Sequence, residues 1–145
     1  MNILLTGGAG YVGSACLRWL LKHGHEPFAY DNLSTGNRWS VPDERLIVAD
    51  ILDSEELCRV MRDKSIEAVM HFAALAVVPD SVADPAEYWH LNVLGTKNVL
   101  DCMRRCEVNK IVFSGTCAVY GDQQSPPLVE TMPYDPCTPY GTTKV

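Results

Sequence analysis

Eight residues near the N-terminus, Thr6-Gly7-Gly8-Ala9-Gly10-Tyr11-Val12-Gly13, leave this chain few folds to adopt. They join an apolar strand signal, Asn2 to Thr6, to a helical pattern carried by Val12, Ala15, Cys16, Trp19, Leu20 and His23. Gly7 and Gly8 permit a turn that a Cβ would obstruct, and Gly13 lets the helix pack close on the strand. Gly10 keeps the backbone open to an approaching group, and the helix starts with amides that lack intrahelical acceptors. With the macrodipole behind them, those amides suit a phosphate. Gly24 ends the helix.

The alternation continues down the chain. A second strand runs to Tyr30 and Asp31, a third covers Arg45 to Ala49, and Ser54 to Lys64 reads as a helix capped by Asp53 or Ser54. Ala68 to Phe72 is strand four. Asp84-Pro85-Ala86-Glu87 then opens a helix with a capping box, its apolar face being Tyr88, Leu91, Gly95, Val99, Cys102 and Cys106. Strand five is Lys110 to Ser114, and a proline-rich stretch (Pro126, Pro127, Pro133, Pro136, Pro139) leads to a helix near Tyr140. Near-continuous apolar strands separated by helices require a parallel sheet covered on both faces. The expected fold is α/β, a doubly wound Rossmann-type sheet forming one domain over 1–145. Five strands stand where a full sheet has six, so a truncated sheet is expected, with its substrate-binding region absent.

Charge narrows the partners. Eighteen acidic against twelve basic residues give a net charge of -6, and no Lys/Arg cluster attracts phosphate backbones or anionic lipid, so neither nucleic acid nor membrane is an expected partner. The absence of a basic leader or a span-length apolar run points to the cytoplasm. Six cysteines without a CxxC pair read as reduced thiols that fill core space. Cys102 and Cys106 lack a His or acid at matching spacing, so no metal is expected.

Asp31 ends strand two at the spacing where a carboxylate binds both ribose hydroxyls of a dinucleotide and repels a 2′-phosphate, favouring NAD; Arg38 nearby keeps NADP open. Asp50 and Ile51 follow strand three, where an adenine edge would lie, although an Asp there is equally a turn or cap residue. Phe72-Ala73-Ala74 offers small residues at the carboxyl edge of strand four, with His71 a satisfied core histidine. Tyr140 and Lys144 stand four apart on one helix face, where an ammonium stabilises a phenolate. Alone, that pair is equally a surface aromatic and a solvated lysine. Thr116, after strand five, adds a hydroxyl that otherwise reads as a turn stabiliser, and together the three suit carbonyl–alcohol interconversion.

These motifs, with Asp31-Asn32-Leu33-Ser34, Asn92 with Gly95-Thr96, Ser114-Gly115-Thr116 to Tyr120-Gly121 and Pro139-Tyr140-Gly141 to Lys144, resemble the extended short-chain dehydrogenase/reductase family. Within it they are most similar to the nucleotide-sugar 4-epimerases of the UDP-glucose type. The resemblance implies NAD contacts from Gly7, Gly10, Tyr11, Val12, Gly13, Asp31, Asn32, Asp50, Ile51, Phe72, Ala73, Ala74, Asn92, Ser114, Tyr140 and Lys144. It further implies Tyr140 as catalytic base, Lys144 as partner of the nicotinamide ribose, Thr116 in the serine/threonine position, a nucleotide-sugar substrate, and a full-length homodimer. Cys117 and Ala118 stand where related dehydratases and decarboxylases carry acids, which favours epimerisation. Gly115 in place of a frequent serine, and Ala76 where some epimerases place a lysine, are departures. A non-catalytic NAD-binding module and a 4,6-dehydratase are the alternative readings.

Overall fold

Leu4, Leu5 and Thr6 of β1 (Asn2–Thr6) are wholly buried, as a strand covered on both faces requires. A computed structural model describes residues 1–122 and 127–145; Pro126 of the proline-rich stretch lies outside the described residues. β1 is the middle strand of a five-stranded sheet with the order β3-β2-β1-β4-β5, built with β2 (Glu26–Asp31), β3 (Leu46–Val48), β4 (Ala68–His71) and β5 (Ile111–Phe113). All four pairings are parallel, and Leu5 lies opposite Ala29 on one side and Met70 on the other. The order reverses between β1 and β4, and the crevice of such a sheet opens beyond the carboxyl ends of those two strands. The expected doubly wound sheet of five strands is therefore present.

The chain divides into two compact units, Met1–Ala73 with Gly95–Ser114, and Ala74–Leu94 with Gly115–Val145. In the first, Ile3, Leu5, Leu17, Leu20, Ala29 and Val41 form the core beneath α1 (Tyr11–Lys22). Each fully buried leucine there contributes roughly 1.5–3 kcal/mol of transfer free energy. The buried face of α1 is not the expected one: Gly13, Ser14, Leu17 and Leu20 are buried, whereas Val12, Trp19 and His23 are exposed. Two small residues let the first turn of the helix sit against the glycine turn, which rotates the larger apolar side chains flanking them outward.

α2 (Ser54–Asp63) is capped by Asp53, whose carboxylate accepts from the Glu56 amide at 3.0 Å. It packs on α5 (Thr96–Arg105), where the Cys102 thiol meets the Ser54 carbonyl at 3.5 Å. All six cysteines are free thiols; Cys58 and Cys102 fill the core as expected, while Cys117 and Cys137 are exposed.

The second unit holds α3 (Val78–Ala83), α4 (Pro85–Tyr88), a 3-10 turn (Cys117–Tyr120) and α6 (Pro139–Thr142). Asp84 caps α4 by accepting from the Glu87 amide at 3.2 Å, as its sequence predicts. The helix expected from Asp84 onward is interrupted: a π-helical turn, Trp89–Gly95, separates α4 from α5. α3 has no counterpart in the sequence reading, because Val77-Val78-Pro79 carries β-branched residues and no helical period. Among the described residues no helix is long and apolar enough to cross a membrane.

Candidate functional site

In the first unit the glycine turn begins where β1 ends. Gly7 has φ +69°, and a Cβ on it would lie 2.6 Å from the Ala73 amide nitrogen and 2.8 Å from the Phe72 carbonyl carbon. The turn thus lies directly on the end of β4, and bulk at Gly7 would force the two apart. A Cβ on Gly13 would stand 2.8 Å from the Gly8 Cα, which accounts for the close seat of α1. Gly10 differs. A Cβ there would meet only the Gly7 carbonyl, at 3.2 Å, so protein packing leaves this side of the turn open.

α1 starts after Gly10 with no side-chain cap and no acidic residue in its first turn, and Tyr11 and Val12 are exposed. Backbone N–H groups at an uncapped helix start beside an open glycine fit a pyrophosphate.

The Asp31 carboxylate closes the cradle. It is buried, with Oδ2 accepting from the Ala9 amide at 2.9 Å and Oδ1 from the Leu33 amide at 2.8 Å. A carboxylate has about four acceptor positions, and these two amides use two of them, so it could also accept from ribose hydroxyls. Leu33 adopts φ +61°, held there by its bond to Asp31 and by packing on the core. Asn32 donates to Asp50 Oδ2 at 2.9 Å, which joins two of the expected cofactor residues. Asp50 also accepts from the Leu52 amide at 2.9 Å, so its turn role is realised. The buried Tyr30 hydroxyl donates to the Asp50 carbonyl at 3.0 Å; burial, with Asp53, Glu56 and Asp50 nearby, holds this phenol well above the ordinary tyrosine range. Ile51 is buried and its carbonyl accepts from the Asn98 side chain. Arg38 lies 3.4 Å from Asp43 in an exposed pair.

His71 is the satisfied core histidine expected: Nδ1 lies 2.5 Å from the Thr6 hydroxyl and Nε2 lies 2.9 Å from the Thr96 hydroxyl. Ser114 donates its amide to the His71 carbonyl at 3.1 Å. Thr6, at the end of β1, is thereby linked through His71 to Thr96 of α5.

In the second unit Thr116 caps the 3-10 turn, its hydroxyl oxygen accepting from the Ala118 amide at 3.2 Å. The bond uses the oxygen as acceptor, so the O–H is a donor besides. α6 carries Tyr140, and Thr138 caps it through the Gly141 amide at 3.1 Å. A Cβ on Gly141 would lie 2.7 Å from the Ala118 carbonyl oxygen. Gly141 is therefore the point at which the Tyr140 helix rests on the Thr116–Tyr120 turn, a role the sequence reading did not assign.

Lys144 is half-buried, and burial pulls its pKa below the ordinary lysine value. Tyr88, also unassigned from sequence, is buried; its hydroxyl donates to the Val77 carbonyl at 2.6 Å and its ring stands edge-on to Tyr140 at 6.4 Å. Burial, with Asp80 nearby, raises its pKa, so it stays a neutral phenol. Asn92 is buried and engages the Leu75 backbone, accepting from its amide at 2.8 Å and donating to its carbonyl at 2.9 Å. Ala74, next to that segment, is half-buried.

Residues 3–145 match the NAD dependent epimerase/dehydratase family. The chain belongs to that family. NAD is the cofactor by which this epimerase/dehydratase family is described, and the open cradle at Gly10 and Asp31 fits it. A UDP-glucose 4-epimerase of Corynebacterium glutamicum is 49% identical over 146 residues, covering 100% of this chain and 44% of that protein. The crystal structure of a Brucella ovis UDP-glucose 4-epimerase in complex with NAD superposes with TM-score 0.96 at 42% identity, over 99% of this chain and 44% of that one. A Thermotoga maritima UDP-glucose 4-epimerase solved with UDP-glucose gives 0.93 at 34% identity, over 99% and 48%. The chain spans less than half the length of these relatives.

Proposed function

We propose that this chain carries the NAD-binding and proton-transfer residues of a nucleotide-sugar 4-epimerase, with UDP-glucose and UDP-galactose as the interconverting pair. The observation that carries the reading is the Tyr140–Lys144 turn seated through Gly141 on the turn that begins at Thr116. Similarity to UDP-glucose 4-epimerases over the full chain supports it. NAD, when bound, supplies a reversible hydride acceptor.

The chain's own groups supply the rest. The Tyr140 phenolate takes the proton of the sugar 4-hydroxyl as the alcohol is oxidised to a 4-keto sugar, and returns it after the sugar has presented its other face. The Lys144 ammonium stabilises that phenolate and binds the nicotinamide ribose. Thr116 donates to the same sugar oxygen. Gly7, Gly10, Tyr11, Val12 and Gly13 hold the pyrophosphate, Asp31 and Asn32 the adenosine ribose, and Asp50 and Ile51 the adenine. Phe72, Ala73, Ala74, Asn92 and Ser114 complete the nicotinamide side. Cys117 and Ala118 supply no acid for water elimination, which separates this reading from a dehydratase.

The reading treats residues 1–145 as the cofactor-holding part and assigns most nucleotide-sugar contacts to the region that the longer relatives carry outside the match. Such a polypeptide works in the cytoplasm as a homodimer. The test is to supply the chain with NAD and UDP-galactose, follow UDP-glucose formation, and repeat with Tyr140→Phe. Turnover lost in Tyr140→Phe supports the reading, and turnover that survives it overturns the role of Tyr140. Calorimetry with NAD needs none of the sugar contacts outside the match: no binding overturns the cofactor-holding part, whereas a non-catalytic NAD module, the second reading, shares the binding and is separated by turnover that depends on Tyr140.

A further inference from the structure

α6 has only four residues, far too few for a helix to hold itself together. The relative placement of Tyr140 and Lys144 must therefore be imposed from outside. Thr138 fixes the start of the turn and Gly141 its middle. At its end, Thr143 is buried, and its hydroxyl makes two bonds: it donates to the Tyr140 carbonyl at 2.7 Å and accepts from Asn92 Nδ2 at 3.0 Å.

We propose that Thr143 is a positioning residue whose hydroxyl hangs the Tyr140–Lys144 turn on Asn92 and, through Asn92, on the Leu75 backbone.

The alternative is a threonine that merely bonds back within its own helical turn, a common local habit. That habit explains the bond to Tyr140 and leaves the bond to Asn92, 51 positions away in sequence, unexplained. Asn92 is suited to act as an anchor. Its Oδ1 and one Nδ2 proton bond the Leu75 amide and carbonyl, as a neighbouring strand would, and its second Nδ2 proton goes to Thr143. Both amide protons are thus committed inside the protein. The chain of donors runs one way, from Asn92 to Thr143 to the Tyr140 carbonyl, so deleting the hydroxyl takes this acceptor from the buried Asn92 N–H and leaves the Tyr140 carbonyl to the Thr143 amide, at 3.1 Å. The bonds within the turn fix its shape, and the Thr143 hydroxyl adds the link that ties it to Asn92.

The inference rests on the reading of Tyr140 and Lys144 as the proton-transfer pair, but its test does not depend on turnover. The variants are Thr143→Val, which keeps the shape and loses the hydroxyl, and Thr143→Ser, which keeps the hydroxyl. The readout is the pH dependence of Lys144 acylation by acetic anhydride, followed by mass spectrometry on the folded chain. Held and half-buried, Lys144 reacts with a midpoint below the ordinary lysine value; in Thr143→Val the midpoint moves up toward that value, and in Thr143→Ser it stays. A fall in urea midpoint with the Lys144 midpoint unmoved is what a purely structural threonine gives, and it overturns the proposal.

Hydrogen exchange of the Asn92 side-chain amide in the unaltered chain needs no variant. Protection supports the anchor, and exchange as fast as that of the exposed Asn109 side chain removes it. Where turnover is measurable, Thr143→Val lowers kcat at least tenfold with KM within twofold. Loss of the catalytic reading through Tyr140→Phe leaves the acylation and exchange results standing on their own.

Discussion

Asp31 holds two backbone amides, Ala9 of the glycine turn and Leu33 of the following loop, on the two oxygens of one carboxylate. Asp31→Asn keeps one acceptor and turns an N–H₂ toward the other amide, while removing the charge that the proposed reading places on the ribose hydroxyls. Bonds to a charged group are worth about 1.5–3 kcal/mol, so NAD affinity should fall by roughly 10- to 100-fold. Calorimetry checks this, and undiminished affinity would take Asp31 out of the site. Lys144 carries a pH signature. Its folded-state pKa is depressed by burial, so between that value and the ordinary 10.5 the unfolded chain binds the proton and the folded chain does not. Stability attributable to Lys144 therefore rises with pH through that window, and its cost is fully present below it. Lys144→Met should consequently gain most over the unaltered chain near pH 7 and lose that advantage by about pH 10.5, as paired urea titrations would read. The place of Asp31 against the glycine turn was legible because its spacing from that turn is itself a signature. Gly141 and Thr143 were not, since their partners, Ala118 and Asn92, lie far off in sequence.

At the scale of elements, caps read well and faces read less well. Asp53 and Asp84 followed by Glu three positions on announce α2 and α4, and both carboxylates accept the expected amide. The stripe of α1 was misread because Gly13 and Ser14, which carry no hydrophobic signal, form the buried edge with Leu17. The π turn at Trp89–Gly95 has no propensity signature at all. Two element ends are strained: Ser65 after α2 and Glu107 after α5 hold φ of +48° and +59°. Both are exposed, and glycine takes this conformation without a Cβ clash. Ser65→Gly and Glu107→Gly should each stabilise the chain by about 0.5–1 kcal/mol in urea melts, after the entropy of a more flexible unfolded chain is offset. Gly141→Ala runs the other way. Its methyl meets the Ala118 carbonyl oxygen, α6 is pushed off its seat, and stability should fall by about 1–3 kcal/mol with turnover lost.

For the whole molecule the telling strand is β5. Among the described residues it is the last strand of the sheet, beside β4, and Ile111, Val112 and Phe113 are all exposed, with Val112 the most open at 56%. β3 ends the sheet on the other side, but Leu46 and Ile47 there are half-covered. An edge strand that presents exposed apolar side chains is a template for another strand, and charge placed on it is the usual natural defence. This predicts concentration-dependent self-association of the 145-residue chain, relieved by Val112→Lys. Light scattering over a tenfold range of concentration distinguishes the cases. A mass that stays at the 16.0 kDa monomer throughout removes the edge as a driving force. Association that persists unchanged in Val112→Lys moves the contact away from β5, because one lysine on a three-residue strand leaves no pairing register that avoids the charge.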